Sequence, residues 1–317
     1  MDKLELIKRN TEEIINEKEI SDLLKKKKPI TYCGYETSGE ITLGHMVTIT
    51  KLQDLQKAGF HVKVLFADWH TYLNQKGDWD FIHKQVDIWK KGFKAAGLTK
   101  AEFILGSTFQ RKPEYIDDVL ILATKTTLNR GLRSMQQIAR DIEHAKISQV
   151  IYPLMQITDI KHLKIDLVHS GLEQRKIHAL GIEIFKLINY KTPVFVHTSL
   201  ISSLKGFGKM SSSEPNSLIS IRDSDENIKN KINKAHCPEG EIKDNPILQI
   251  SQLIIFPRIN EFKIERDKKF GGDLSFNNYK DLEKSFTKKE LHPLDLKNSV
   301  SKYLIEIISP IRKQFKS

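Results

Sequence analysis

The sequence predicts an α/β fold: a doubly wound parallel sheet with a helical insertion, followed by a smaller, mostly helical C-terminal domain. Three observations predict it. From Pro29 onward, short apolar runs alternate with helix-length amphipathic segments. Helices of that length between strands imply parallel βαβ crossovers. After Ser217 the texture changes to short charged helical pieces. The 317 residues suffice for a sizeable core and two domains.

Taken in order, "MDKLELIKRNTEEII" reads as a charged amphipathic helix without the apolar core of a secretory signal. "ITYCGY" is a buried strand, "LGHMVTITKLQDLQKAG" a helix ending at Gly59, and "VKVLFAD" a second strand. "DWDFIHKQVDIWKKGFKAAG" is a helix ending at Gly97, and "EFILGS" a third strand. A helical insertion, about 113–164, interrupts the sheet order. "IDLVHSG" and "PVFVHTSL" are strands enclosing the helical "LEQRKIHALGIEIFKLI". Turn signals at "CPEG", "KDNP", "FGGD" and "LHPLD" punctuate the remainder, so the expected domains are 1–217 and 218–317.

The balance of 51 Lys+Arg against 40 Asp+Glu gives a formal charge of +11, which suits a polyanionic partner. A lysine-biased genome would produce the same excess. Cys33 and Cys237 are too few for a disulfide framework or a cysteine-built zinc site, and both read as reduced thiols. No apolar run approaches the ~20 residues that span a bilayer. The expectation is a cytoplasmic protein with no membrane partner.

Sheets of this kind bind ligands beyond the carboxyl ends of their strands, and several motifs fall there. "GYETSGEITLGH", Gly34 to His45, runs from the first strand into a helix, where backbone N–H groups and the positive dipole end suit an anion. Gly44 would leave room for a flat ring and His45 would donate to a phosphate or ribose oxygen; the plain alternative is a capped helix start. "FADWHTYLNQKG" sets Asp68 and His70 on the same rim, and "SGLEQRKIH" sets Glu173 and Gln174 in another first turn. In "SQVIYPLMQITDIKHL", Tyr152, Gln156 and Asp159 share one helix face, with Ile151, Leu154, Met155 and Ile160 supplying apolar contacts. A solvated face would carry Lys and Glu, whereas this stripe carries groups suited to directional hydrogen bonds. "KGFGKMSSSEPNS", Lys205 to Ser217, places a lone lysine beside three hydroxyls in a Gly/Ser-rich loop.

With these residues in view the chain resembles the class I aminoacyl-tRNA synthetases, and within them the tyrosyl-tRNA synthetases of archaeal and eukaryotic type. "TLGH" stands where that class has its HIGH signature and "KMSSS", 209–213, where it has KMSKS. The likeness continues through "ADWHTYLNQKG", "VIYPLMQITDI", "LEQRKIH", "KFGGDL" and "KELHPLDLKN". It implies a Rossmann-like catalytic domain, with ATP and L-tyrosine as substrates. Tyr32 and Asp159 would bracket the substrate phenol, leaving buried polar groups unpaired if phenylalanine entered. Tyr152, Gln156 and Gln174, with Glu36, would hold the α-amino end. ATP would be held by Gly34, Thr42, Gly44, His45, Lys209, Met210, Ser211 and Ser212, with His45, Lys209 and Ser212 acting on the phosphates during attack by the substrate carboxylate. Mg²⁺ would accompany ATP, and no protein-bound zinc is expected. The helical domain would read the tRNA(Tyr) anticodon through Phe270, stacked on a base, and Asp295, accepting from a guanine edge. The family is homodimeric through the insertion.

Thr42 replaces the first histidine of HIGH, Thr37 stands where proline is common, and serine replaces the second lysine of KMSKS. Tryptophanyl-tRNA synthetases share the fold and both signatures, but the Tyr32 and Asp159 pair favours a phenol over an indole. Small nucleotidyltransferases with a HIGH-like turn are disfavoured by KMSSS and the appended domain. A synthetase-like RNA-binding protein without catalysis is the remaining alternative.

Overall fold

A computed structural model describes residues 1–138, 144–208, 210 and 217–315. Among them, six strands form one sheet in the order β1-β6-β5-β2-β3-β4: β1 Thr11–Ile15, β2 Ile30–Tyr35, β3 His61–Phe66, β4 Glu102–Leu105, β5 Leu167–Gly171 and β6 Val194–Thr198. The helices up to β6 are α1 Lys3–Lys8, α2 Ile20–Lys25, α3 Leu43–Lys57, α4 Asp68–Leu73, α5 Trp79–Ala95, α6 Pro113–Ala123, α7 Leu128–Met135, α8 Ile147–His162 and α9 Arg175–Ile184. Beyond it come α10 Asp225–Lys234, α11 Pro246–Ile250, α12 Tyr279–Thr287 and α13 Pro293–Lys313, with a hairpin of β7 Phe262–Ile264 and β8 Leu274–Phe276.

The α/β expectation holds for β2 to β6, whose pairings are all parallel. One correction concerns the N-terminus. Only Lys3–Lys8 is helical, and "TEEII" becomes β1, antiparallel to β6. Three β-branched residues, Thr11, Ile14 and Ile15, and an edge to pair with outweigh the helical charge pattern there, since strand formation is decided by the neighbour it meets. The sheet is therefore mixed, with an antiparallel edge on a parallel core.

The chain divides into two compact units that are discontinuous in sequence. The first comprises Met1–Ser38, Lys51–Lys90 and Leu98–Ser199; the second Gly39–Thr50, Lys91–Gly97 and Leu200–Ser317. The first is built on the sheet, and its core packs Leu65, Tyr115, Leu122, Ile157, Ile160, Val168 and Phe195 from strands and insertion helices together. In the second, Ile228, Ile232, Leu253, Phe262, Phe286, Val300, Leu304 and Ile308 are fully or almost fully buried. A π-helical stretch, Ser251–Ile255, continues α11. Cys33 and Cys237 are buried free thiols, and among the described residues no helix is long and apolar enough to cross a membrane.

Within the first unit, α3 pins the N-terminal segment. Lys51 is buried, and its Nζ donates to Leu6 O at 3.2 Å, Ile7 O at 2.9 Å and also to Arg9 O, the carbonyls left open at the end of α1. One turn on, Asp54 Oδ2 accepts from Arg9 Nε at 2.9 Å. Lys51→Met keeps the aliphatic stem but removes the donor from all three carbonyls. We expect it to lower stability by about 2–4 kcal/mol in urea unfolding near neutral pH, and a change below about 0.5 kcal/mol would contradict this role.

Candidate active site

The first unit gathers a cluster of polar side chains from five places in the chain. β2 carries Tyr32 and Gly34 on one face, and a Cβ on Gly34 would lie 3.8 Å from the Tyr32 ring and 3.9 Å from Leu65. α4, which follows β3, carries Asp68 and His70, the segment before α6 carries Gln110, and α6 carries Tyr115 in its first turn. α8 supplies the rest and is buried over most of its surface, with polar side chains inside beside Leu154, Met155, Ile157 and Ile160. Tyr152 and Asp159 are buried and Gln156 half-buried, whereas Ile147 is 79% and Ile151 36% exposed. Ile151 was expected among the apolar packing contacts and is exposed instead, whereas Leu154, Met155 and Ile160 are buried.

Asp159 sits at the pocket floor. Its Oδ1 accepts from Gln110 Nε2 at 2.8 Å, and the Tyr115 hydroxyl lies 2.9 Å both from that oxygen and from Met155 O, sharing one proton between them. Burial drives its carboxyl up to about 8, against the lowering effect of those two hydrogen bonds. Burial, then the nearby Asp159 charge, raises the Tyr32 phenol well above its ordinary value, so it remains a donor. His70 is pushed down to about 3 by burial and is neutral, with Nε2 3.5 Å from Asp159 Oδ2 and its ring edge-on to Tyr152 at 4.6 Å.

Three buried polar atoms beside this carboxylate have no hydrogen-bond partner: Asp68 Oδ2, His70 Nε2 and Gln110 Oε1. A sealed protein core rarely leaves such capacity unspent, whereas a pocket for a small polar ligand does. Asp68 is itself fixed by accepting from Trp69 N and Ser107 N through Oδ1, each at 2.9 Å.

Toward the open side, Gln156 Nε2 donates to Gln174 Oε1 at 3.2 Å. Glu36 accepts from Asn74 Nδ2 at 2.9 Å and from Lys76 Nζ, and Gln149 Nε2 donates to Asn74 Oδ1 at 3.2 Å. Both Glu36 oxygens are thus engaged by neighbours, which fixes the carboxylate at the rim. Reasoning from sequence picked out Tyr32, Glu36, Tyr152, Gln156, Asp159 and Gln174, and this unit holds all six. It missed Tyr115, Asn74, Lys76 and His178 as members of the network. Asn74 and Lys76 lie inside the quoted "NQKG", but nothing in a one-dimensional pattern ties Tyr115 to Asp159, 44 residues away.

In the second unit, Thr42 precedes α3 and His45 stands in its first turn. The Thr42 backbone N–H donates to His45 Nδ1 at 2.9 Å, with Thr42 Oγ1 at 3.1 Å. An Nδ1 that accepts from a main-chain N–H carries no proton, so the proton is on Nε2. The helix start is held by Leu43 N donating to Ile219 O and Ile221 N to Ile41 O, both at 3.0 Å. Among the described residues a Cβ on Gly44 would meet Thr42 Oγ1, at an ordinary 3.5 Å, so their packing does not require glycine there. Met210 is half-buried, and Lys209, Ser211 and Ser212 lie outside the described residues. Gly206, at φ +87°, lies directly over the His236 ring, where no side chain would fit.

Also in this unit, Phe270 is 62% exposed, with Lys269 Nζ 4.9 Å from its ring centroid. Arg266 donates to Gly272 O at 2.8 Å and to Glu290 O at 3.0 Å, which ties the hairpin loop bearing Phe270 to the approach of α13. Asp295 is half-buried in the first turn of α13, where the cap is His292, whose Nδ1 accepts from Leu294 N. Among the described residues no group of three or more His, Cys, Asp or Glu side chains could hold a metal ion.

Three comparisons bear on this geometry. The model of the family described as tRNA synthetases class I (W and Y) matches residues 24–309. The chain is 48% identical over 316 residues to a tyrosine–tRNA ligase of Archaeoglobus fulgidus, covering 99% of this chain and 97% of that protein. It is 49% identical over 315 residues to that of Methanocaldococcus jannaschii, covering 99% and 100%. The crystal structure of the Archaeoglobus fulgidus tyrosyl-tRNA synthetase complexed with L-tyrosine superposes with a TM-score of 0.96 at 48% identity, covering 98% of each chain.

The raised Asp159 carboxyl has a linked consequence. Its proton is bound more tightly folded than unfolded, so its contribution to stability is full below the unfolded value near ~4 and is lost as pH rises through about 8. Asp159→Asn retains an oxygen for Gln110 and Tyr115 but carries no charge. We expect it to be more stable than the parent by on the order of 2–5 kcal/mol at pH 8.5, with the advantage vanishing toward pH 4 in urea titrations. An advantage independent of pH would show that Asp159 is not the titrating group.

Proposed function

The chain belongs to the class I tRNA synthetases of the W and Y family, and on that premise we propose that it is a tyrosine–tRNA ligase. It activates L-tyrosine with ATP to tyrosyl-adenylate and pyrophosphate, then transfers tyrosine to the 3′ end of tRNA(Tyr). The observation that carries the amino-acid assignment is the buried Asp159 carboxyl surrounded by unspent hydrogen-bonding groups, with Tyr32 beside it. A phenol both donates and accepts, so it satisfies Asp159 and Tyr32 together. An indole N–H donates only, and phenylalanine satisfies neither.

Tyr152, Gln156 and Gln174 take the substrate's α-amino group, with Glu36 held at the rim. The substrate carboxylate then attacks the α-phosphate, forming the acyl–phosphate bond as the bond to pyrophosphate breaks. No protein nucleophile is required, and catalysis rests on positioning and on donors aimed at the phosphates. His45 presents its Nε2–H as such a donor, with Thr42 fixing its tautomer. Gly34 and Gly44 leave backbone accessible to the nucleotide. Met210 and the motif residues Lys209, Ser211 and Ser212 complete the ATP assignment. Mg²⁺ enters with ATP, held by its phosphates.

Residues 218–317 form the anticodon-binding domain in this reading, with the exposed Phe270 ring available for base stacking and Asp295 as acceptor. The homodimer is supported by apolar side chains on the insertion, where Ile116 is 43%, Leu120 58% and Ile121 43% exposed.

Pyrophosphate exchange tests the activation step. Exchange is expected with tyrosine and not with phenylalanine or tryptophan, and Asp159→Ala abolishes it; exchange driven by tryptophan would overturn the phenol assignment, and none with any of the three would leave the RNA-binding alternative. Phe270→Ala and Asp295→Ala are expected to raise the KM for tRNA at least several-fold in aminoacylation, consistent with loss of a stacking contact worth about 1–3 kcal/mol, while tyrosine-dependent exchange stays unchanged. Parallel loss of both reactions would place these residues outside anticodon recognition.

A further inference from the structure

Edge strand β1 reaches the pocket through a line of side chains inside the first unit. Glu13 Oε2 lies 2.9 Å from His197 Nδ1 on β6. His197 Nε2 lies 2.8 Å from His178 Nδ1 on α9, and His178 Nε2 lies 3.4 Å from Gln156 Nε2 on α8. The two imidazole planes are inclined by only 11°, with ring centroids 5.1 Å apart, a geometry compatible with an in-plane nitrogen-to-nitrogen hydrogen bond. Both histidines are almost completely buried, at 1% and 0% exposure.

Proton chemistry allows one ordering along this line. Arg175 Nε donates to both Glu13 oxygens, at 2.9 and 2.8 Å, and these bonds hold the Glu13 carboxyl below its ordinary range. A carboxylate only accepts, so His197 carries its proton on Nδ1. Burial keeps both imidazoles below their ordinary values and therefore neutral, with one proton each. His197 Nε2 then accepts from His178 Nδ1–H, which leaves His178 Nε2 to accept from the Gln156 amide. Rotating that amide by half a turn would set its oxygen against the bare His178 nitrogen and against Gln174 Oε1, two repulsive acceptor pairs. Gln156 is thus locked with its N–H groups spent within the protein and its carbonyl oxygen left as an acceptor.

We propose that Glu13, His197 and His178 are positioning residues for amino-acid binding: the carboxylate at the sheet edge sets both imidazole tautomers and thereby aims the Gln156 carbonyl at the substrate ammonium. The proposal rests on the assignment of Gln156 to the amino end of tyrosine. It accounts for two buried histidines and an edge-strand glutamate that the activation chemistry does not otherwise use.

Calorimetric titration with L-tyrosine and with 3-(4-hydroxyphenyl)propionate, which lacks the amino group, separates the alternatives. The parent protein binds tyrosine more tightly than the des-amino compound. His197→Phe keeps an aromatic ring but breaks the line, and is expected to weaken tyrosine binding roughly ten-fold or more while leaving the des-amino affinity unchanged. His197→Gln, with one donor and one acceptor to span the gap, retains more of the tyrosine affinity. Glu13→Ala, at a position 28% exposed and tolerant of change, gives a loss in the same direction and keeps the test open if the buried variants do not fold. In exchange assays the loss appears as a raised KM for tyrosine at unchanged kcat. Equal weakening of both ligands, or of neither, overturns the relay. A parent protein without preference for tyrosine over the des-amino compound overturns the amino-end assignment itself, and the relay with it.

Discussion

The site is organised around one costly arrangement, a carboxyl group set in an apolar core. Asp159 is 1% exposed and is flanked on its own helix by Met155, Ile160 and Leu163, all buried. Removing a carboxylate from water is opposed by several kcal/mol unless donors replace the lost hydration. Gln110 and Tyr115 replace part of it, and the rest is left open. In the proposed function a ligand hydroxyl completes the set. Such a floor admits a phenol and penalises a bare ring, because the penalty of the unfilled groups returns when the hydroxyl is missing.

That carboxyl also dictates the helix that bears it. α8 turns Gln149, Tyr152, Gln156 and Asp159 inward together with Leu154, Met155, Ile157 and Ile160, and leaves Ile147 and Ile151 outside, an arrangement that would be destabilising in an isolated domain. Two features make it tolerable. Gln149 donates to Asn74 and Gln156 to Gln174, and the outward Ile147 and Ile151 lie on the same insertion as the exposed Ile116, Leu120 and Ile121, which the proposed homodimer would cover.

Imidazole tautomers recur as the means of giving polar groups a direction. In the second unit a main-chain N–H takes the lone pair of His45 Nδ1 and so fixes a donor at Nε2. In the first, Glu13 sets His197, which sets His178, which sets Gln156. In both cases a fixed neighbour removes the choice that a neutral imidazole otherwise has between two protonation sites. A site preorganised in this way loses less free energy to ordering when the ligand arrives.

The sequence by itself determined the parallel strands, the helices between them and the insertion, and it singled out the polar residues proposed here to face the ligand. Those are encoded locally, in apolar periodicity, in glycines at helix ends such as Gly59 and Gly97, and in motifs read directly as strings. Tyr152, Gln156 and Asp159 were legible because polar residues at core spacing contradict their surroundings, whereas Tyr32 came only from the resemblance to the synthetases. The N-terminal strand was not legible: "TEEII" has a helix-compatible charge pattern, and only the exposed edge of β6 makes it a strand. Tertiary structure likewise decided which groups meet Asp159, which way α8 faces, and that Glu13 lies 2.9 Å from His197 across 184 residues of chain. Periodicity reports what one segment buries. Partner, direction and proton position depend on segments that meet only when the sheet has formed, and no local pattern carries that information.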